Sequence, residues 1–190
     1  MWVALTGTPG TGKTAVATVL KKQGYIVVRL HRLAKENSCV CGVDKKRKSE
    51  LIDVRKLNRW IEKNFSTESL IFFEGHIGHL LRAMEKVIVL RCHPKNLERR
   101  LIKKRWSKKK IKENVNAEAL DIILCETVEC HPKRDIFEID TTNKTVDEVA
   151  GVIQNIVKHT FRPVKAYSIG QIDWSEEVLK DVTLKGEIWY

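Results

Sequence analysis

The segment Gly7–Thr14, close to the amino terminus, reads Gly-Thr-Pro-Gly-Thr-Gly-Lys-Thr. It matches the pattern G-x-x-x-x-G-K-[ST] at every fixed position. An apolar run, Trp2–Leu5, leads into it, and a helix-compatible run, Ala15–Leu20, follows it. A strand, a glycine-rich loop and a helix in this order form the context of a phosphate-binding P-loop. A glycine-rich turn that binds no ligand is the alternative interpretation.

The residue types in this segment predict how ATP and Mg²⁺ would bind. Glycines such as Gly10 and Gly12 allow the backbone to bring its N–H groups close to phosphate oxygens. The helix that follows presents its positive amino-terminal end to the same anion. We expect the Lys13 ammonium to reach the β- and γ-phosphates, and the Thr14 hydroxyl to hold the metal.

Five apolar runs along the chain predict the strands of a sheet. Helix-compatible segments alternate with them, which predicts an α/β fold with a parallel sheet and helices on both faces. The second run is rich in β-branched residues and is expected to be a buried strand. The runs are Trp2–Leu5, Tyr25–Val28, Leu70–Phe73, Val87–Leu90 and Ile136–Ile139.

The segments between these runs are predicted to be helical, apart from one polar stretch. Ser38–Glu50 contains Gly42 and a lysine-rich run, and we expect it to be a mobile excursion. Asp53 is a predicted N-cap, and Pro94 is predicted to open a helix. The predicted helical segments are His31–Asn37, residues 53–64, the segment after Pro94, one long helix over Ile111–Glu129, and residues 146–157.

Several polar residues follow predicted strand ends, where ligands of parallel sheets bind. Glu74 ends the third strand and is expected to be the second metal-holding group, acting through water. His76 is expected to orient a water or a phosphate, with a charge that titrates near neutrality. A strand-end histidine bonded to backbone is the alternative for His76. Arg91 and the Asp140–Asn143 turn should meet at the same edge.

Two further segments are candidates for nucleotide contacts. Arg105 lies in a lysine-rich run, which is either a solvated helix or a lid whose arginine closes over the triphosphate. Lys144 follows the fifth strand, where its stem could pack against a nucleotide base, or it belongs to a polar turn. A small GTPase is excluded, since Asn143-Lys144-Thr145 continues with Val146 and the chain has no Asp-x-x-Gly.

Composition narrows the possible partners and the compartment. The formal net charge of +11 suggests RNA or a ribonucleoprotein, unless the charge serves nucleotide phosphates and solvated surface. Apolar runs stay well below the roughly 18 residues of a membrane span. A strand begins within two residues of Met1, so we expect no signal peptide, no membrane association and a cytosolic protein.

The cysteine count argues against a disulfide framework. There are five cysteines, and an odd number in a cytosolic chain favours free thiols. Cys39, Cys41 and the Cys130-His131 pair are the alternative, a zinc site, although they lack the usual C-x-x-C spacing.

These residues together resemble the adenylate kinase isozyme 6 family, in its archaeal form. Members of that family are adenylate-kinase-like NTPases linked to maturation of the small ribosomal subunit. The resemblance covers roughly residues 1–160 and is most specific in the Glu-Asn-x-x-Ala-Glu element. It rests on Gly7–Thr14, Glu74-Gly75-His76, Arg105-Trp106 followed by Lys112–Glu118, and Asn143-Lys144.

The resemblance implies a nucleoside monophosphate (NMP) kinase fold over residues 1–160. Its NMP-binding segment would be residues 31–53 and its short lid residues 104–114. The implied activities are phosphoryl transfer from ATP to an NMP, preferably AMP, and ATP hydrolysis, with Lys13, Glu74, His76 and Arg105 as catalytic residues. The implied ATP contacts are Gly10, Gly12, Lys13, Thr14, Ala15, Arg105 and Lys144.

The resemblance also implies a macromolecular partner. This is a small-subunit ribosomal protein of the uS11 type, which binds the 3′ region of 16S rRNA, so that any RNA contact would be indirect. A metabolic NMP kinase without a ribosomal role is the alternative function. The basic segments Lys45–Lys48 and Lys103–Lys112 lie in the two parts expected to move, so we expect ATP and the partner to bind interdependently.

Three features depart from the family pattern. Glu74-Gly75-His76 stands where many relatives have Asp-x-His, and the glutamate reaches about one methylene further. Ordinary adenylate kinases carry an arginine after the third strand to hold the NMP phosphate, and this chain has none there. The extension Phe161–Tyr190, with Trp174 and Trp189, has no assigned role.

Overall fold

The computed structural model describes residues 1–44 and 49–177, which form seven strands and seven α-helices. Three single 3-10 turns lie at Gly78–Leu80, Lys133–Asp135 and Lys165–Tyr167, and residues 175–177 are also helical. The strands are β1 Trp2–Gly7, β2 Ile26–Arg29, β3 Val40–Asp44, β4 Ser49–Ile52, β5 Ile71–Glu74, β6 Lys86–Arg91 and β7 Ile136–Asp140. The helices are α1 Lys13–Lys22, α2 Leu30–Glu36, α3 Val54–Asn64, α4 Pro94–Lys103, α5 Lys108–Ala119, α6 Ile122–Cys130 and α7 Val146–Lys158.

Five strands form a parallel sheet in the order β2-β5-β1-β6-β7, with helices on both faces. The central strand β1 is buried along its whole length. Because successive side chains point to opposite faces, Trp2 and Ala4 join one core, and Val3 and Leu5 join the other. The first core contains side chains of α2, α3 and α6, and the second contains those of α1 and α7. The predicted fold class is confirmed.

The second strand is where the sequence-based burial prediction is wrong. β2 lies at the edge of the sheet, next to β5. Its residues are only half-buried or exposed, and Ile26 is 49% exposed. β-branched residues favour a strand on either a central or an edge position, so they indicate the strand but not its burial.

The predicted long helix over Ile111–Glu129 is also wrong, because two helices cover this stretch. α5 ends at Ala119 and α6 begins at Ile122. Asp121 between them adopts a left-handed backbone conformation, with φ 56°, and its carboxylate bonds to the Arg91 guanidinium. The left-handed residue interrupts the helical hydrogen bonding at Asp121. The ion pair of Asp121 with Arg91, on β6, offsets the free-energy cost of that interruption.

The polar stretch Ser38–Glu50, predicted to be a mobile excursion, includes β3 and the start of β4, the two strands of a hairpin. β3 and β4 pair in antiparallel fashion, with a bulge between Val40 and Gly42. Glu50 anchors this hairpin to α2, since its carboxylate lies 2.9 Å from the Lys35 ammonium and 3.1 Å from the His31 ring. The basic run Lys45–Lys48 falls outside the described residues.

Other local predictions are confirmed. The Asp53 carboxylate accepts a hydrogen bond from the Lys56 N–H at 2.9 Å, as an N-cap does. Pro94 occupies the first turn of α4. None of the helices in the described ranges is long and apolar enough to cross a membrane.

The described part of the extension packs against the domain. Phe161 is buried against Phe137, and the Gly170 N–H donates to the Glu138 carboxylate at 3.0 Å. Further on, the Trp174 ring meets the His93 ring edge-on, with 4.9 Å between centroids. Residues 161–177 therefore continue the fold, while Trp189 falls outside the described residues.

Candidate functional site

The loop between β1 and α1 has the backbone that its glycines predict. Gly10 and Gly12 have φ of 104° and 108°, a region that side-chain-bearing residues rarely adopt. A Cβ on Gly10 would also lie 2.7 Å from a methyl carbon of Leu97 in α4. The loop is therefore shaped both by its own conformation and by the helix packed behind it.

Lys13 lies at the floor of this loop and is 7% exposed. Its ammonium donates to the carbonyl oxygens of Gly7, at 2.7 Å, and Thr8, at 3.0 Å. Burial lowers the pKa of Lys13 to about 8, against the opposing effect of the nearby Glu74 and Glu118 carboxylates. The lysine therefore remains mostly protonated at pH 7 and supplies a positive charge where the motif predicts it.

This lowered pKa should give the free energy of unfolding a distinctive pH dependence. In the unfolded chain the lysine titrates near 10.5, so between about pH 8 and 10.5 the unfolded state binds more protons. Stability contributed by Lys13 should then rise with pH, by at most about 1.4 kcal/mol per unit. We expect urea unfolding of the wild type to show this rise relative to Lys13→Met. Parallel pH curves for the two proteins would contradict the burial argument.

The Thr14 hydroxyl and the Glu74 carboxylate lie next to each other beside the loop. The strands β1 and β5 are neighbours, and their register sets Leu5 beside Glu74. The Thr14 hydroxyl donates to the Glu74 carboxylate at 2.9 Å, and Glu74 is 8% exposed. A hydroxyl and a carboxylate beside a phosphate-binding loop suit Mg²⁺, which keeps few protein ligands and takes the others from phosphate and water. The residues present therefore fit this metal.

Larger metal-binding groups are not found in the described residues. No set of three or more His, Cys, Asp or Glu side chains there is placed to hold a metal ion. Cys39, Cys41 and Cys130 are free thiols.

His76 stands at the rim of the cleft, with an exposed side chain. The surrounding cleft nevertheless reduces its hydration, which lowers its pKa to about 4, and the charge of Lys13 acts in the same direction. The imidazole is therefore neutral at pH 7, and the prediction that its charge titrates near neutrality is wrong. A neutral ring can still donate one hydrogen bond and accept another.

A cleft of about 500 Å³ opens above the loop and brings most predicted site residues together. Arg29, His31 and Arg32 also line the cleft, and we call this group the basic wall. Lys104 and Trp106 line it as well. The predicted site residues that line it are Gly10, Gly12, Lys13, Thr14, Ala15, Glu74 and His76.

Two predicted ATP contacts lie outside this lining. Arg105 is exposed and has a left-handed φ of 57°, so that its neighbours Lys104 and Trp106 face the cleft instead. Lys144 is exposed, and its ammonium donates to the Asp140 carbonyl at 2.9 Å. The structure therefore brings neither side chain to the loop.

Arg91 occupies the predicted sheet edge but is not available to a ligand. It is 2% exposed and forms an ion-paired group with Glu118, Asp121 and Glu138, which we call the Arg91 cluster. Burial raises the pKa of Glu138, while the Arg91 charge opposes that shift. The Arg91 cluster therefore has a structural role in the protein interior and does not face the cleft.

Sequence reasoning missed Arg29 and the role of the Arg91 cluster, whereas His31 and Arg32 fall within the predicted NMP-binding segment, residues 31–53. Arg29 is the last residue of β2, and its position directly after the apolar run Tyr25–Val28 is a usable signal. Glu118 belongs to the Glu-Asn-x-x-Ala-Glu element, yet the element itself does not say what the glutamate contacts.

Comparisons of sequence and structure define the class. A family model described as an AAA domain matches residues 3–121. Shikimate kinase from Acinetobacter baumannii superimposes with a TM-score of 0.58 at 13% identity, covering 84% of this chain and 93% of that one. Thymidylate kinase from Candida albicans gives 0.54 at 13% identity, with 84% and 91% covered. The fold and loop are those of the P-loop proteins that include the NMP kinases.

Relatives of similar length then identify the family. A protein from Archaeoglobus fulgidus named "Putative adenylate kinase" is 40% identical over 94% of each chain. Proteins of the same name from Methanocaldococcus jannaschii and Pyrococcus abyssi are 36% and 37% identical over at least 97% of each chain. The chain belongs to this archaeal family.

Proposed function

We propose that this protein is a phosphotransferase that moves the γ-phosphoryl group of ATP to an NMP, with AMP preferred, and that also hydrolyses ATP. The observation that carries the proposal is the Thr14–Glu74 pair beside a complete P-loop with a buried, charged lysine. The names of the archaeal relatives support the choice of acceptor.

In this proposal the part of the cleft at the phosphate loop, which we call the donor half, binds the triphosphate of ATP. The backbone N–H groups around Gly10 and Gly12 would bind the phosphates, and Lys13 would leave its two carbonyl partners to pair with them. Thr14 and Glu74 would hold Mg²⁺, which when bound neutralises charge on the phosphate oxygens. His76 would orient the acceptor or a water through its neutral ring.

Arg105 and Lys144 would complete this half only after movement. The linker between α4 and α5 carries Arg105, and we propose that it turns inward when nucleotide binds, as the lid over residues 104–114. Lys144 would pack its stem against the base.

The acceptor half is supported by the basic wall, which supplies positive charge to the cleft in a chain that lacks the usual arginine after the third predicted strand. Arg29 ends β2, and its backbone lies in register with Glu74 on β5. Among the described residues Arg29 has no ion-pair partner, whereas Arg32 pairs with Glu36 at 2.6 Å. Arg29 is therefore the guanidinium best able to bind an incoming monophosphate.

Arg29→Ala should raise KM for AMP by roughly 10- to 100-fold, because a charge-assisted phosphate contact is lost. The effect should fall on KM for AMP and much less on KM for ATP. Steady-state kinetics with each substrate varied in turn would measure it. Arg55→Ala is the matched control, an exposed arginine on α3 outside the cleft. An unchanged KM for AMP would assign the acceptor phosphate elsewhere.

A product assay tests the reaction itself. ATP is incubated with and without AMP, and ADP and inorganic phosphate are quantified separately. ADP formed with AMP and without phosphate release shows the kinase, and phosphate release that ignores AMP shows an ATPase. No nucleotide turnover in either mixture would overturn the proposal.

The net charge of +11 favours a second function. This is an ATP-dependent role in maturation of the small ribosomal subunit, together with a uS11-type ribosomal protein. The protein would act in the cytoplasm and touch 16S rRNA at most indirectly. Binding of a purified uS11-type protein, measured with ATP, ADP or no nucleotide, tests this. Equal affinity in all three states would exclude a nucleotide switch, and no binding would favour a purely metabolic kinase.

A further inference from the structure

Glu118, in the last turn of α5, joins three parts of the molecule. It is 2% exposed. One carboxylate oxygen accepts from the Arg91 guanidinium at 2.8 Å and from the Cys92 N–H at 3.0 Å. The other accepts from the Thr8 hydroxyl. A single buried carboxylate thus connects α5, the end of β6 and the phosphate loop.

Thr8 is the residue through which this connection reaches the site. It is 1% exposed. Its carbonyl accepts from the Lys13 ammonium at 3.0 Å, and also from the N–H and hydroxyl of Thr11, at 3.2 and 3.0 Å. The position of Thr8 therefore determines where the first turn of the loop and the lysine lie.

The opposite end of α5 borders the cleft. The helix begins after its N-cap Ser107, which follows Trp106 in the sequence. Lys104 and Trp106 line the cleft. The 12 residues of α5 span about 18 Å as a stiff rod. The Glu118 end is bonded to Arg91 and to the Thr8 hydroxyl, so α5 connects the segment beside the cleft to the phosphate loop.

We propose that Glu118 is a positioning residue, which holds the phosphate loop through Thr8 and links the geometry of that loop to the segment that closes the cleft. Its kinetic consequence rests on the proposed function, whereas its effect on the free protein does not. The competing explanation is that Glu118 serves only as a counter-charge for Arg91.

Thr8→Val separates the two explanations, because it removes one hydroxyl and leaves the bonds of Glu118 to Arg91 and Cys92. Amide hydrogen exchange in Gly7–Thr14 of the nucleotide-free protein should rise about tenfold or more, with exchange in α7 unchanged. The kcat should fall about tenfold. Thr8→Ser should restore both. Thr127→Val is the control, since this equally buried hydroxyl donates only to a carbonyl in its own helix.

Each outcome decides the inference. The positioning role would be overturned if amide exchange in Gly7–Thr14 of the Thr8→Val protein were as slow as in the wild type. It would also be overturned if exchange rose throughout the Thr8→Val protein, or if Thr8→Ser did not restore protection. If the wild type itself turns over no nucleotide, the proposed function fails, and the exchange data alone still support or overturn the positioning role.

Discussion

Lys13→Ala is expected to lower ATP turnover by roughly 10³ or more, because in the proposed mechanism the buried ammonium pairs with the phosphate that is transferred. The fold should survive, since the carbonyls of Gly7 and Thr8 can take water in place of the amine. Turnover is measured as ADP and phosphate formed, and folding by circular dichroism and thermal unfolding.

Lys22→Ala provides the control for Lys13→Ala, since that lysine is exposed at the end of the same helix. Wild-type turnover in a folded Lys13→Ala protein would remove the P-loop from the mechanism. An unfolded variant would instead be replaced by Lys13→Met, which keeps the apolar stem.

Glu74→Gln should lower turnover by roughly 10² and raise the Mg²⁺ concentration needed for half-maximal rate. The substitution keeps the size and the acceptor oxygen for the Thr14 hydroxyl, so the loss reports the charge alone. Rates are measured across a Mg²⁺ series.

Glu62→Gln on the exposed side of α3 is the matched control for Glu74→Gln. Equal rates and equal Mg²⁺ dependence in Glu74→Gln and wild type would show that Glu74 does not support the metal.

The loop and the sheet could be predicted because their signals are local. Gly7–Thr14 encodes its own conformation through glycine positions, and each apolar run encodes a strand within a few residues. Glu74 could be found from its place at a strand end. These features require no knowledge of what packs against them.

The remaining features depend on distant residues. Whether β2 is an edge strand is decided by strand order, which the run Tyr25–Val28 does not contain. Asp121 breaks a helix because Arg91, 30 residues away, offers an ion pair. Arg29 becomes a site residue only once β2 lies beside β5. The left-handed backbone of Arg105 and the bond of Lys144 to the Asp140 carbonyl turn both side chains away from the loop, and no local sequence pattern specifies either of them.

The Arg91 cluster also limits how this sequence can change over evolution. Losing the Arg91 guanidinium alone leaves Glu118 and Glu138 buried without a counter-charge, which lowers the free energy of unfolding by about 3–5 kcal/mol. Exchanging the whole set for apolar side chains of similar volume removes the buried charges together, but it leaves the Thr8 hydroxyl and the Cys92 N–H without an acceptor. Individual steps between these two states pass through poorly folded intermediates. We therefore expect the residues of the Arg91 cluster to be inherited together. A substitution at one of them should be tolerated only in a sequence that already carries substitutions at the others.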